Sequence, residues 1–99
     1  MGDDTPEDEE AAGAFEIVNM RGLHARAATK LVQTASRFPC EVVISGPEDE
    51  EVNAKSVMGV LLLCGAKGTV VHVRAHGPKA RAAVDEIGRL IDDRFGESE

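Results

Sequence analysis

The stretch GLHARAAT, residues 22–29, sets a single histidine, His24, two positions before Arg26. Gly22 frees the backbone for a turn, Leu23 offers an apolar anchor, and a helical apolar periodicity begins directly afterwards. His24 is therefore expected just before or at the first residue of a helix. The amides of Ala25, Arg26 and Ala27 then belong to the donors that a helix N-terminus leaves unpaired. Such an end attracts anions rather than cations. An imidazole placed there makes chemical sense as a nucleophile that becomes anionic. A phosphoryl group on its ring would meet backbone N–H groups, the positive end of the helix and the Arg26 guanidinium. Neutral imidazole is competent for that attack near neutral pH. The same residues also fit a surface histidine beside a capped helix, and the motif holds no serine or cysteine for hydrolase chemistry.

Other reactive side chains carry weaker signals. Ser56, with Lys55 beside it, precedes VMGVLLL and reads first as a helix N-cap, worth about 1 kcal/mol. Cys40 and Cys64 form no CxxC pair, so both are expected to be buried free thiols rather than metal ligands. His72 and His76 share one face of a strand four residues apart, too far to chelate. No metal or cofactor is expected. Arg21 adds positive charge ahead of Gly22 and suits an acidic partner.

The elements that must hold these residues follow from periodicity. AFEIVNM (14–20) alternates, with Phe15 and Ile17 on one face, and reads as a strand. Ala28, Leu31, Val32, Ala35 and Phe38 recur at helical spacing, and Pro39 ends that helix. CEVVIS (40–45) is a second strand, GPEDEE a turn, and VNA (52–54) a brief edge strand. VMGVLLLC is expected to be a short helix capped at Ser56, with Val57, Val60 and Leu63 buried. GTVVHVRAHG (68–77) alternates Val71, Val73 and Ala75 against Val70, His72, Arg74 and His76, so one sheet face meets water. Pro78 is expected at the first position of a last helix whose buried stripe is Ala80, Ala83, Val84, Ile87, Leu90 and Ile91. The order β-α-β-β-α-β-α predicts an α+β open-faced sandwich, with all three helices on one face of a four-stranded antiparallel sheet.

Ninety-nine residues suffice for one domain. The formal charge of −7 is uneven: residues 1–13 hold six acidic and no basic residues, and the remainder is near neutral. Residues 1–13 are expected to be a disordered acidic leader, 14–95 the folded domain and 96–99 a flexible tail. The leader lacks the basic start and apolar stretch of a signal peptide, and no apolar run spans a bilayer. With three Phe and no Trp or Tyr, the core must be aliphatic, and a base-stacking platform for nucleic acid is disfavoured.

GLHARAAT and NAKSVMGVLLL together resemble the histidine-containing phosphocarrier family, HPr, of the bacterial phosphoenolpyruvate-dependent phosphotransferase system. The resemblance extends over about residues 14–95 and includes the order of elements. It implies that His24 takes a phosphoryl group on its ring δ nitrogen from phosphorylated enzyme I and passes it to an enzyme IIA protein or domain. Arg26 matches the arginine that pairs with the phosphate. Ser56 matches the serine modified in many members by HPr kinase/phosphorylase, which implies a regulatory site. Arg21, Ala25, Thr29, Val57, Met58 and Leu61 would belong to the surface on which partners dock. A cytoplasmic monomeric carrier without turnover of its own is implied. One departure is Ala27, where the family motif GLHARPA has proline; alanine relaxes the φ restraint and adds a donor.

Other functions stay open on the sequence. A regulatory nitrogen-type carrier is one, since NMRGLHAR resembles that branch's loop while NAKSVMGVLLL leans to the serine-regulated carriers. A phosphatase would need a water-activating residue and a closed pocket. An interaction module that never takes phosphate would be indifferent to His24→Ala.

Overall fold

The structure, a computed structural model, describes residues 7–63 and 65–99. The elements run β1 (Glu10–Glu16), α1 (Ala25–Ser36), β2 (Glu41–Ser45), β3 (Glu51–Asn53), α2 (Val57–Leu62), β4 (Val70–His76) and α3 (Ala80–Asp92), closed by a 3-10 turn at Arg94–Gly96. The four strands form an antiparallel sheet in the order β1-β4-β2-β3, so the short β3 is an edge as expected. The helices cover one face, giving the open-faced α+β sandwich.

Alternation in β4 sets the two sides of this sheet. Val71, Val73 and Ala75 are buried under the helices, and Val70, His72, Arg74 and His76 face outward. On the outer face Arg74 pairs with Glu51 across the sheet. α1 contributes Ala27, Ala28, Leu31 and Ala35 to the core, with Val32 only half-buried. α3 contributes the expected Ala80, Ala83, Val84, Ile87 and Ile91. Leu90 is half-buried and Gly88 takes a core position in its stripe. A Cβ on Gly88 would lie 2.3 Å from the Phe15 ring, so this glycine lets α3 approach β1 with the ring between them. Burial of that ring offsets the roughly 1 kcal/mol that glycine costs inside a helix.

Three expectations are corrected. β1 spans Glu10–Glu16 rather than 14–20, so residues 10–13 belong to the sheet and not to a leader. The face assignment of Phe15 and Ile17 still holds, with Ala11 and Ile17 buried on the same side. Ala and Gly are weak strand formers, and here pairing with β4 from Glu10↔His76 to Glu16↔Val70 overrides propensity. Glu9 is also structural: its carbonyl accepts from Gly77 N–H at 2.8 Å, and its carboxylate accepts from Arg81 N–H at 2.8 Å. It thereby caps α3 with a negative charge at the helix start. The expected leader over residues 1–6, and the expected burial of Cys64, lie outside the described residues.

The second correction is at the start of α3. Pro78 does not open the helix; Lys79 follows it in the left-handed region, at φ 67°, and Ala80 is the first helical residue. The third is the C-terminus. Arg94, Phe95 and Gly96 all have positive φ, at 58°, 56° and 79°, and this left-handed run turns the chain back after α3. Phe95 is fully buried, and Lys30 donates to its carbonyl at 2.6 Å. Residues 97–99 therefore run towards the start of α1 instead of trailing into solvent.

Candidate functional site

His24 is the N-cap of α1, in extended conformation at φ −75° and ψ 179°. Its carbonyl accepts from Ala28 N–H at 2.8 Å, and its ring Nδ1 accepts from Arg26 N–H at 3.2 Å. An acceptor nitrogen carries its lone pair and no proton. The other ring nitrogen, Nε2, faces the Glu97 carboxylate and donates to it. The two contacts assign the tautomer: proton on Nε2, lone pair on Nδ1. Among the described residues the amides of Ala25 and Ala27 have no hydrogen-bond partner; Ala25 is exposed and keeps an open donor at the helix start, whereas Ala27 is fully buried. The ring is about a quarter exposed, at 24%.

The loop in front of His24 is fastened at several points. Gly22 N–H donates to Asn19 carbonyl at 3.2 Å, closing a turn, and Gly22 itself stands at φ +66°. A Cβ on Gly22 would fall 2.3 Å from the Gly65 carbonyl oxygen, so both the backbone angle and the close approach demand glycine. That same Gly65 oxygen accepts from Leu23 N–H at 2.8 Å, tying this loop to the segment after α2. Leu23 is buried, as an anchor should be.

Asn19 was not singled out by the sequence, yet it is fully buried at the centre of this arrangement. Its side-chain amide donates to Gly22 carbonyl at 2.9 Å and to the second Glu97 oxygen at 3.0 Å. Both partners are acceptors, which fixes the amide orientation. Burial pushes the Glu97 carboxyl up, but the hydrogen bonds from Asn19 and His24, with the nearby His24 and Arg21 charges, hold it below the ordinary glutamate value. Glu97 had no local signal either, because it lies 73 residues from His24 in the chain. The apolar Phe95 just before it was the one available hint that the last turn is docked.

Arg21, Arg26 and Lys30 line one side of an open basin of about 510 Å³, with Met20 and residues 96–99 on the other. Arg21 and Arg26 are exposed and form no ion pair among the described residues. Thr29 is exposed, with its hydroxyl donating to Ala25 carbonyl at 2.8 Å. A larger hollow, lined by Glu10, Glu41, Arg74 and His76 with Arg81 from the start of α3, opens at the β1–β4–β2 end of the sheet.

α2 starts as expected. Ser56 Oγ accepts from Gly59 N–H at 3.1 Å. Lys55 is engaged elsewhere, its ammonium donating to Phe38 carbonyl at 2.7 Å. Val60 and Leu63 are buried, and Val57 only half so. Met58 is 72% exposed, as is Leu62 at 73%, whereas Leu61 is half-buried against the core. Spacing explains this: positions 58 and 62 share the outward face at i and i+4. Met20, in the loop before His24, is likewise exposed. Cys40 is a buried free thiol whose pKa is pushed up by burial, which leaves it inert.

Residues 11–93 match the family model described as PTS HPr component phosphorylation site. The chain is 45% identical over 88 residues to the phosphocarrier protein HPr of Pseudomonas putida, covering 89% of this chain and 98% of that protein. The chain belongs to the HPr family. The HPr fold is reproduced as well: the crystal structure of HPr-C-His from Thermoanaerobacter tengcongensis superposes with a TM-score of 0.85 at 38% identity, over 90% of this chain and 99% of that one. The phosphocarrier protein NPr of Shewanella violacea is 43% identical over 82 residues, covering 83% of this chain and 89% of that protein. Similarity to HPr and NPr alike leaves membership of the phosphocarrier family, rather than a branch of it, as what the comparisons establish.

Proposed function

We propose that His24 is the phosphoryl acceptor and donor of this phosphocarrier, loaded on Nδ1 by phosphorylated enzyme I and unloaded to an enzyme IIA protein or domain. The observation that carries this reading is the His24 ring itself. It stands at a helix start with its Nδ1 lone pair directed to the Arg26 amide and the open Ala25 amide beside it. Once Nδ1 shares its lone pair with phosphorus it no longer accepts from Arg26 N–H, and that donor becomes available to a phosphoryl oxygen. The Arg26 guanidinium, which forms no ion pair among the described residues, supplies charge at the same place. Phosphoryl transfer passes through a loose transition state governed by positioning and charge, and an open site shared with a partner suits it. The site has too few donors to trap the group, which a carrier must release.

On this reading the chain turns nothing over by itself and works as a cytoplasmic monomer. Partners dock on the surface around His24, formed by Arg21, Ala25, Thr29, Val57, Met58 and Leu61; the exposure of Met20 and Leu62 supports counting them with it. Exposed methionine repacks readily against different partners, which suits a shuttle. Ser56 is the regulatory position: a phosphate at its hydroxyl would place up to two negative charges on that surface, repelling acidic partners. The similarity to NPr favours a second version, in which the same transfer reports phosphorylation state instead of feeding sugar uptake.

The test is incubation of the full chain with phosphoenolpyruvate, magnesium and enzyme I of either the sugar or the nitrogen branch. One acid-labile phosphate is expected per chain, absent in His24→Ala. Arg26→Ala should slow loading about 10- to 100-fold, the range of a charge-assisted hydrogen bond. Loading by only one enzyme I assigns the branch. Phosphate that persists in His24→Ala refutes the assignment.

A further inference from the structure

We infer that Glu97 is a positioning residue for phosphoryl transfer, holding the proton on His24 Nε2 through both loading and unloading. The inference rests on the reading of His24 as the phosphoryl acceptor. Its grounds lie in how the carboxylate is delivered. The left-handed run Arg94–Phe95–Gly96 reverses the chain after α3. Buried Phe95 and the Lys30 bond to its carbonyl hold the segment on one side of Glu97. On the other side Met20 N–H donates to Glu99 carbonyl at 2.9 Å. Between these two fastenings the Asn19 amide takes one Glu97 oxygen at 3.0 Å, and the other oxygen faces His24 Nε2. The side chain is only 14% exposed. A terminal segment tied before and after its one inward carboxylate, with both oxygens occupied, is a built contact.

The chemistry follows from the electron count. In loading, the Nδ1 lone pair forms the N–P bond, while the bond from phosphorus to the donor's leaving group breaks and its electron pair departs with that group. The Nε2 proton stays in place, so the ring gains positive charge as the bond forms. The Glu97 carboxylate lies against the atom where that charge is shared, and the attraction grows towards the transition state. In unloading, the N–P electron pair returns to Nδ1. A ring still protonated on Nε2 leaves as neutral imidazole, a far better leaving group than imidazolate. Glu97 therefore acts on both half-reactions without touching the phosphoryl group.

The experiment uses the full chain with its imidazole nitrogens labelled with 15N, together with rapid-quench loading from phosphorylated enzyme I. Wild type should show a downfield Nε2 proton on His24, protected from solvent exchange. Glu97→Gln, with its amide oxygen turned to Nε2, retains an acceptor there but no charge, and gives up the Asn19 bond to the other oxygen. It should keep that resonance and load about tenfold more slowly, the factor for one charge-assisted bond strengthened in the transition state. Glu97→Ala should lose both resonance and rate, with backbone spectra otherwise like wild type. Glu97→Gln loading at the wild-type rate overturns the inference, even if Glu97→Ala is slow, because the segment would then be a structural tie alone. An unchanged Nε2 signal in Glu97→Ala overturns it too. Failure of wild type to load, or loading of His24→Ala, instead refutes the reading of His24 itself.

Discussion

Gly22→Ala tests the geometry that presents His24. Two costs are separable. Alanine at φ +66° is disfavoured by about 1–2 kcal/mol. Its Cβ would also lie 2.3 Å from Gly65 oxygen and 3.0 Å from Ala66 Cα, both backbone atoms that cannot rotate aside. Relief requires the two segments to part, which breaks the Leu23 N–H bond to Gly65, worth about 1 kcal/mol net. Parting also disturbs buried Leu23. The sum is a loss of about 2–4 kcal/mol from a total stability of the order of 5–15. For a domain of this size that lowers the thermal midpoint by about 10–25 °C. The control is Gly68→Ala, where φ is +92° but a Cβ would meet nothing within 4 Å. There only the backbone penalty remains, the same roughly 1–2 kcal/mol, or about 4–16 °C. Urea and thermal unfolding of both variants, followed by circular dichroism, give the comparison. If Gly22→Ala is no more destabilised than Gly68→Ala, the close approach to Gly65 does not hold the loop, and the argument for a fixed His24 fails.

Three further outcomes are expected. Ser56→Ala should lower the urea midpoint by an amount equivalent to about 1 kcal/mol with unchanged slope, since only the cap on Gly59 N–H is lost. Ala27→Pro should raise stability by about 0.5–1 kcal/mol, measured as a shift in the urea midpoint, because the Ala27 amide has no partner among the described residues to lose and the unfolded chain becomes stiffer. The depressed pKa of Glu97 means that the folded state binds its proton less readily than the unfolded chain. Its stabilisation is therefore complete above the ordinary glutamate pKa of about 4.3 and is lost as pH falls through the lower folded value. Acid titration of Glu97→Ala should show a flatter stability curve in that window than wild type.

Periodicity made α1, β4 and α3 legible because each carries a long, uninterrupted apolar pattern. β1 was misplaced by four residues because Ala and Gly carry almost no strand signal, and only the β4 partner makes Glu10–Gly13 a strand. The helix-start position of His24 was readable from Gly22, Leu23 and the apolar stripe that follows. Its protonation pattern was not: that depends on Asn19 and Glu97, and the latter contact closes a separation no local pattern encodes. Charge alone makes an acidic terminus look solvated, whereas buried Phe95 docks it. In α2 the exposed position fell on Leu62 and not Leu61, because one step of a helix is a rotation of 100° and a six-residue helix leaves no longer stripe to calibrate it.

The bond from Leu23 to Gly65 joins two stretches of chain that bear opposite commissions. One delivers the reactive ring, and the other closes the helix that begins at Ser56 and bears the greasy outer surface. The Leu23 bond and the close fit of Gly22 against Gly65 and Ala66 thus tether the loop that bears the imidazole to the stretch that follows the greasy helix.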